Sequence, residues 1–403
     1  MTAADLRTPF EGLALHEKMI LALLALAGEP MGKARIHEHL VQAGILDNEQ
    51  RLADGLAHLR ALGMTGEMAG RGSAVTPDVA WPAIRAAIDE RLFHPLCAAY
   101  QSVTPLRKNW EGFVVLRSYR QGVALLRMAL ADGAEPKRVA PLLAACMGCH
   151  EAGYLHPLVD ICARPFEPEL FERIHPLLRD EVLAVLVNNV QREPAGAPVL
   201  RAYAERHVAQ GTASMALRVA LAEQLILCGR LDEATRLLLD LDDSQAQFYR
   251  SAILLLRDEH AAALAGFEHA LKTLRRETGK RKSIFQGIGG HLYVLALLRS
   301  GDPKHDKLAD AYLDVATRAV QSHDTAVYQQ LSMLRSIRGG TVDAEVLPSR
   351  NWEAAMQPFM FRALMHYWLA LPQLEGRRAQ LEEMLAQAEL AGFDFIAAQL
   401  AAV

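Results

Sequence analysis

The chain has 403 residues, more than one ordinary core supports, so two or three folding units are expected. A charged fraction of 22% beside a hydrophobic fraction of 51% excludes a disordered chain. Lys and Arg number 43 against 47 Asp and Glu, a net charge of −4, which excludes a globally basic nucleic-acid coat and an acidic tail protein but leaves room for a local basic patch. Aromatic residues are 6%, and the prominence of Ala, Leu, Glu and Arg favours helices over a β-sandwich or barrel.

The five cysteines, Cys97, Cys146, Cys149, Cys162 and Cys228, are an odd number, which argues against a disulfide framework. The opening residues show no basic segment followed by an apolar one, and no apolar run reaches the ~20 residues that cross a bilayer. The expected location is the cytoplasm, with no membrane partner and no cofactor.

In chain order, the first predicted helix covers 15–28, with Met19, Ile20, Leu23, Leu24 and Ala27 at helical spacing and Gly28-Glu29-Pro30 as its stop. A second follows with Ile36, Leu40 and Val41 on one face and Gly44 at its end. The third starts at Asp47 or Asn48, both good caps, and runs through Leu52, Leu56, Leu59 and Leu62 to Gly63. The period then changes. Met64–Met68 and Ser73–Thr76 read as short strands around Ala69-Gly70-Arg71-Gly72, a hairpin signal, and Pro77 ends the second strand.

Three short helices and a hairpin over about residues 12–90 resemble a winged helix-turn-helix, and LGMTGEMAGRGSAVTP resembles its wing, with Arg71 at the tip. The resemblance implies DNA binding with the third helix in the major groove. The charges oppose that implication. Residues 1–90 hold 8 Lys/Arg against 12 Asp/Glu, and the third helix sets Glu49 and Asp54 against Arg51 and Arg60. Phosphate contacts supply most non-specific affinity, so the alternative is a protein-contact or structural element.

Beyond residue 90 the pattern shows no strand pair. Helical runs are predicted at 111–131, 137–150, 168–190, 195–210, 214–228, 231–241, 245–257, 259–276, 288–299, 304–320, 324–336, 351–370 and 376–389. Ala263, Phe267, Ala270 and Leu271 resemble the closing half of a tetratricopeptide repeat, with Ala234 and Leu238 as a weaker counterpart. The expected fold is therefore mainly α: an N-terminal winged helix-turn-helix at 1–90, then a tetratricopeptide-like α-helical repeat solenoid at 91–403, with a candidate subdivision near 195–213. Such arrays present a concave face to a partner.

Cys146-Met147-Gly148-Cys149-His150 matches the pattern for c-type haem attachment, which the absence of an export signal disfavours. Two thiolates with His156 and Cys162 supply donors for zinc, but at a spacing of no standard module. The competing reading makes the cysteines small apolar residues in or at the end of a helix. The fifteen histidines are scattered; His-Pro pairs at His94, His156 and His175 mark turns, and each histidine is expected at a surface or turn.

Arg275, Arg276, Lys280, Arg281 and Lys282 form the densest basic cluster, with Glu277 as its only acid. Thr278-Gly279-Lys280 is not a phosphate-binding loop, because position 274 is Leu and position 281 is Arg. Two readings stand: a solvated helix end whose cations suit the helix dipole, or a contact to nucleic acid or an acidic partner. Gly279–Lys282 with Gly287, Gly289, Gly290 and the following Leu-rich run resembles the N-terminal region of large bacterial Swi/Snf-type (DEAD/DEAH-box) ATP-dependent helicases. That resemblance implies a non-catalytic module of, or beside, a nucleic-acid-dependent ATPase whose motor lies outside this chain. No acidic box or nucleophile elbow appears. The ending GFDFIAAQLAAV fits a fragment of a longer polypeptide. The rival expectation is a transcription regulator whose helical repeats sense a peptide or protein.

Overall fold

The structure, a computed structural model, describes residues 10–68, 70–149, 156–163, 166–189, 196–257, 259–285, 292–294, 296–297, 300–320, 382, 385–386 and 388–401. It is mainly helical. Two compact units divide between Arg179 and Asp180, so the expected boundary at residue 90 falls inside the first unit.

The first unit is built around α1 (Leu15–Ala27). Every residue from Met19 to Ala27 is buried, as expected of a helix that is apolar on all sides. Around it lie α2 (Lys33–Gln42), α3 (Glu49–Ala61), the hairpin β1 (Thr65–Met68) and β2 (Gly72–Val75), and α4 (Pro77–Asp89). Asn48 caps α3, its side chain accepting from the backbone N–H of Gln50 and Arg51. Met31 and Ser73 exchange two backbone hydrogen bonds of 2.9 Å, which seat the hairpin against the segment between α1 and α2. α1 to α3 and the hairpin thus lie where the sequence places them, whereas α4, which Pro77 opens rather than merely ending β2, is not predicted.

The same hydrophobic core continues past residue 90 into α5 (Phe93–Val103), α6 (Tyr119–Ala131) and Leu170. This continuity explains why the unit does not end at α4. No helix is predicted at α5, and no strands are predicted beyond residue 90. Yet β3 (Arg107–Lys108) and β4 (Val114–Val115) pair antiparallel. Two-residue strands are too short to show alternation, so the run read as a helix over 111–131 begins only at Tyr119, capped by Ser118. The unit continues with α7 (Pro136–Gly148), α8 (Pro157–Cys162) and α9 (Pro168–Arg173). The predicted helix over 168–190 is two helices, because His175-Pro176 interrupts it. His175 Nδ1 accepts from the N–H of Leu177 at the start of α10 (Pro176–Asn189), as His156 Nδ1 does from Leu158 at the start of α8. Those two His-Pro pairs are helix starts.

The second unit stacks α11 (Ala197–Ala209), α12 (Met215–Leu227), α13 (Leu231–Leu238), α14 (Ser244–Leu256) and α15 (His260–Thr278), each packed on the next along the chain. Ala263, Phe267, Ala270 and Leu271 are buried. Further on lie α16 (Pro303–Val320) and α17 (Asp394–Ala401), the latter packing on α12. The predicted helices over 324–336 and 351–370, most of 376–389, and residues Asp258, Gly287, Gly289 and Gly290 lie outside the described residues. No helix among the described residues is long and apolar enough to cross a membrane.

Candidate anionic-partner interface

The basic run straddles the end of α15. Arg275 and Arg276 occupy its last turn, where cations suit the helix dipole. Gly279, at φ 66°, reverses the chain, and Lys280, Arg281 and Lys282 follow in the turn. That turn is tied back on itself. Thr278 Oγ1 donates to the Leu274 carbonyl at 2.8 Å and lies 2.6 Å from Ser283 Oγ, and the Ser283 N–H donates to the Lys280 carbonyl. Two residues later Phe285 is buried against Phe248, their ring centroids 5.1 Å apart, and its carbonyl accepts from the Tyr312 hydroxyl. The basic turn is therefore anchored by an aromatic cluster.

All five cations are exposed, and none forms an ion pair among the described residues. Glu277 makes no ion pair with them. Its carboxylate accepts from the backbone N–H of Ser244 at 3.1 Å and from the Ser244 hydroxyl at 2.6 Å, so it closes the start of α14 instead. The helical phase offers a clue to this role, since Glu277 falls four residues after buried Thr273 and seven after buried Ala270. Its partner, 33 residues away, has no such signal.

Other arginines of the second unit are engaged. Arg218 and Arg250 donate to carbonyls at the end of α13, Arg230 bonds Glu205 and Glu233, and Arg257 bonds Asp232. These arginines are held in the structure, whereas the five cations at 275–282 are not.

Arg71 is exposed at the tip of the β1–β2 hairpin in the first unit, its N–H bonded to the Met68 carbonyl. The neighbouring α3 face is not basic. Arg60 pairs with Glu67 at 2.9 Å, and Asp54 accepts from Gln50. A groove of about 690 Å³ on the same unit is lined by Glu11, Asp78, Asp89, Glu167 and Glu169, with Arg85 bonded to Glu169.

Cys146 lies within α7, Cys149 caps it, and Cys162 ends α8. Both Cys146 and Cys162 are buried, and burial pushes their thiols up to about 12. His156 serves as the cap of α8, and His150 lies outside the described residues. Among the described residues, no group of three or more His, Cys, Asp or Glu is placed to hold a metal. His39 is not at the surface as expected. It is buried and stacks on Tyr100, ring centroids 5.5 Å apart, with Nδ1 facing the Ala99 carbonyl. Desolvation holds this imidazole below its ordinary value.

In comparisons with known proteins, no family model matches the chain, no curated protein matches it and no solved structure matches it.

Proposed function

We propose that the chain is a non-catalytic recognition module in which a winged helix precedes a tetratricopeptide-like helical repeat. It serves, or belongs to, a nucleic-acid-dependent ATPase of the Swi/Snf type, and it grips the phosphate backbone of a nucleic acid through Arg275, Arg276, Lys280, Arg281 and Lys282. The observation that carries this reading is the anchored turn at the end of α15, with five exposed cations free of ion pairs among the described residues and the run's one acid bonded elsewhere. Phosphate contacts of this kind position a backbone without reading its sequence. The hairpin seated on Met31 supports the winged-helix part, and the buried Ala263, Phe267 and Ala270 support the repeat part. The acidic groove and the paired charges of α3 make the first helices a poor operator reader, to which Arg71 adds one contact.

The test is fluorescence anisotropy of a labelled duplex with the whole chain at rising salt. Binding falls with salt, and charge reversal of the five cations abolishes it. Equal affinity for polyglutamate transfers the reading to an acidic protein partner. Salt-insensitive binding, or none, overturns the nucleic-acid reading.

A further inference from the structure

The β3–β4 hairpin of the first unit puts two large aromatic rings in water. Trp110 is 92% exposed and Phe113 67%, and neither has a ring contact among the described residues. Exposed rings on a mobile tip carry little meaning, but this tip is tightly held. Asn109 Oδ1 accepts from the N–H groups of Glu111 and Phe113 at 3.0 and 2.9 Å, and the Asn109 N–H donates to the Phe113 carbonyl at 2.9 Å. Gly112 closes the turn at φ 85°. The hairpin's base is clamped by one buried side chain on α6: Gln121 donates to the carbonyls of Thr104 and Pro105 on the way in and accepts from the Arg117 N–H at 2.7 Å on the way out.

The register sorts the side chains by face. Lys108 and Val114 are partners and, with Leu106, line a groove of about 500 Å³. Arg107 and Val115 are partners on the opposite face, which Phe113 shares by alternation. Arg107, Lys108 and Arg117 are exposed and make no ion pair among the described residues, and Glu111 is the hairpin's one acid. Residues 91–138 as a whole hold 8 Lys/Arg against 3 Asp/Glu, in a unit whose first ninety residues run the other way.

We propose that this hairpin is a binding site for single-stranded nucleic acid, with unpaired bases stacking on Trp110 and Phe113 and phosphates meeting Arg107, on the face of Phe113, and Arg117 at the hairpin's base. The pairing of chemistries decides the occupant. Planar rings suit bases, adjacent unpaired cations suit a polyanion, and a tip presenting its rings to water reaches bases only where they are not already stacked in a duplex. A protein partner needs the rings but leaves the cations unexplained. The proposal does not rest on the reading of the turn at the end of α15.

The experiment is a tryptophan-fluorescence titration of the whole chain with oligothymidylate. The difference between parent and Trp110→Phe isolates the signal of Trp110. The oligonucleotide quenches that signal; read by anisotropy of labelled oligothymidylate, Trp110→Ala weakens binding roughly tenfold or more, and Phe113→Ala has a similar effect. Arg107→Glu with Arg117→Glu weakens binding and flattens its salt dependence. Both rings are exposed, so thermal unfolding of the alanine variants stays as in the parent and serves as the folding control. Unchanged affinity in Trp110→Ala and Phe113→Ala overturns the proposal, as does equal quenching by a duplex. Concentration-dependent self-association that the two alanine substitutions remove, with no oligonucleotide bound, overturns it in favour of protein docking. Reversing the five cations at 275–282 leaves the Trp110 quenching intact; loss of the quenching in that variant also overturns the proposal.

Discussion

Single residues close the ends of helices in this protein, and the partners come from far along the chain. Arg127 on α6 donates through Nη1 to the carbonyls of Ala25 and Leu26, the last turn of α1, at 2.8 and 3.3 Å. Gly28, at φ 62°, sits so close that an added Cβ would lie 2.1 Å from that same nitrogen. Arg127→Met leaves two carbonyls of a buried helix without a charged donor, and should lower the unfolding free energy by about 2 kcal/mol in urea titrations. Gly28→Ala adds left-handed backbone strain to the collision and should cost at least about 1 kcal/mol by the same measurement. A second pair of residues predicts the response to acid. Glu17 bonds His58 at 2.7 Å and the Ala14 N–H at 2.9 Å; Asp180 bonds His207 at 2.7 Å and the Ser214 N–H. Burial opposes ionisation in both, but these hydrogen bonds and the facing imidazoles outweigh it, and both carboxyls are held below their ordinary values of 4.5 and 3.8. A depressed carboxyl contributes stability above its unfolded value and loses it as pH falls through the folded one. Unfolding measured from pH 6 down to pH 2 should therefore show a loss of stability setting in below about pH 4.5, smaller in Glu17→Gln and Asp180→Asn.

At the scale of elements, the closeness of α14 and α15 rests on small residues. Ala263 and Ala270 are buried, and a Cβ on Gly266 would lie 2.3 Å from Ser251 Oγ. Gly266→Val forces the two helices apart and should destabilise the chain by about 1–3 kcal/mol, read as a lowered thermal midpoint with helical content retained. The apolar and small positions that make this pair were legible in the sequence, because a 3.6-residue period survives any partner. The same holds for α1 to α3, where Asn48 marks the start of α3. The β3–β4 hairpin was not legible. Its strands are Arg-Lys and Val-Val, too short for a period, and its turn is held by the Asn109 side chain and a single glycine, Gly112, rather than by a glycine-rich tip. Nor was the first unit's end at residue 179: its shared core joins Leu13 to Leu170, and no local pattern encodes which distant helices bury each other.

At the scale of the whole chain, a net charge of −4 conceals two kinds of cation. One kind is bonded to helix ends or carboxylates, as Arg127, Arg173, Arg201, Arg218, Arg230 and Arg250 are. The other makes no ion pair among the described residues, and its largest cluster is at 275–282, with Arg107, Lys108 and Arg117 as a smaller one. The sequence showed the run but not which of its charges were free, because that depends on Glu277 reaching Ser244 across the α14–α15 pair. Counterion release turns this distinction into a number. Each phosphate neutralised on a duplex contributes about −0.9 to the slope of log affinity against log salt, so five free cations acting together give a slope of about −4.5. Replacing Arg275 and Arg276 by Gln should reduce that slope by about 1.8, and Arg218→Gln should leave it unchanged while lowering stability, because Arg218 bonds the end of α13 and Asp240. A slope change of about 0.9 in Arg218→Gln, half that of the double variant, measured by anisotropy between about 50 and 200 mM salt, would show that binding senses total charge rather than the anchored turn.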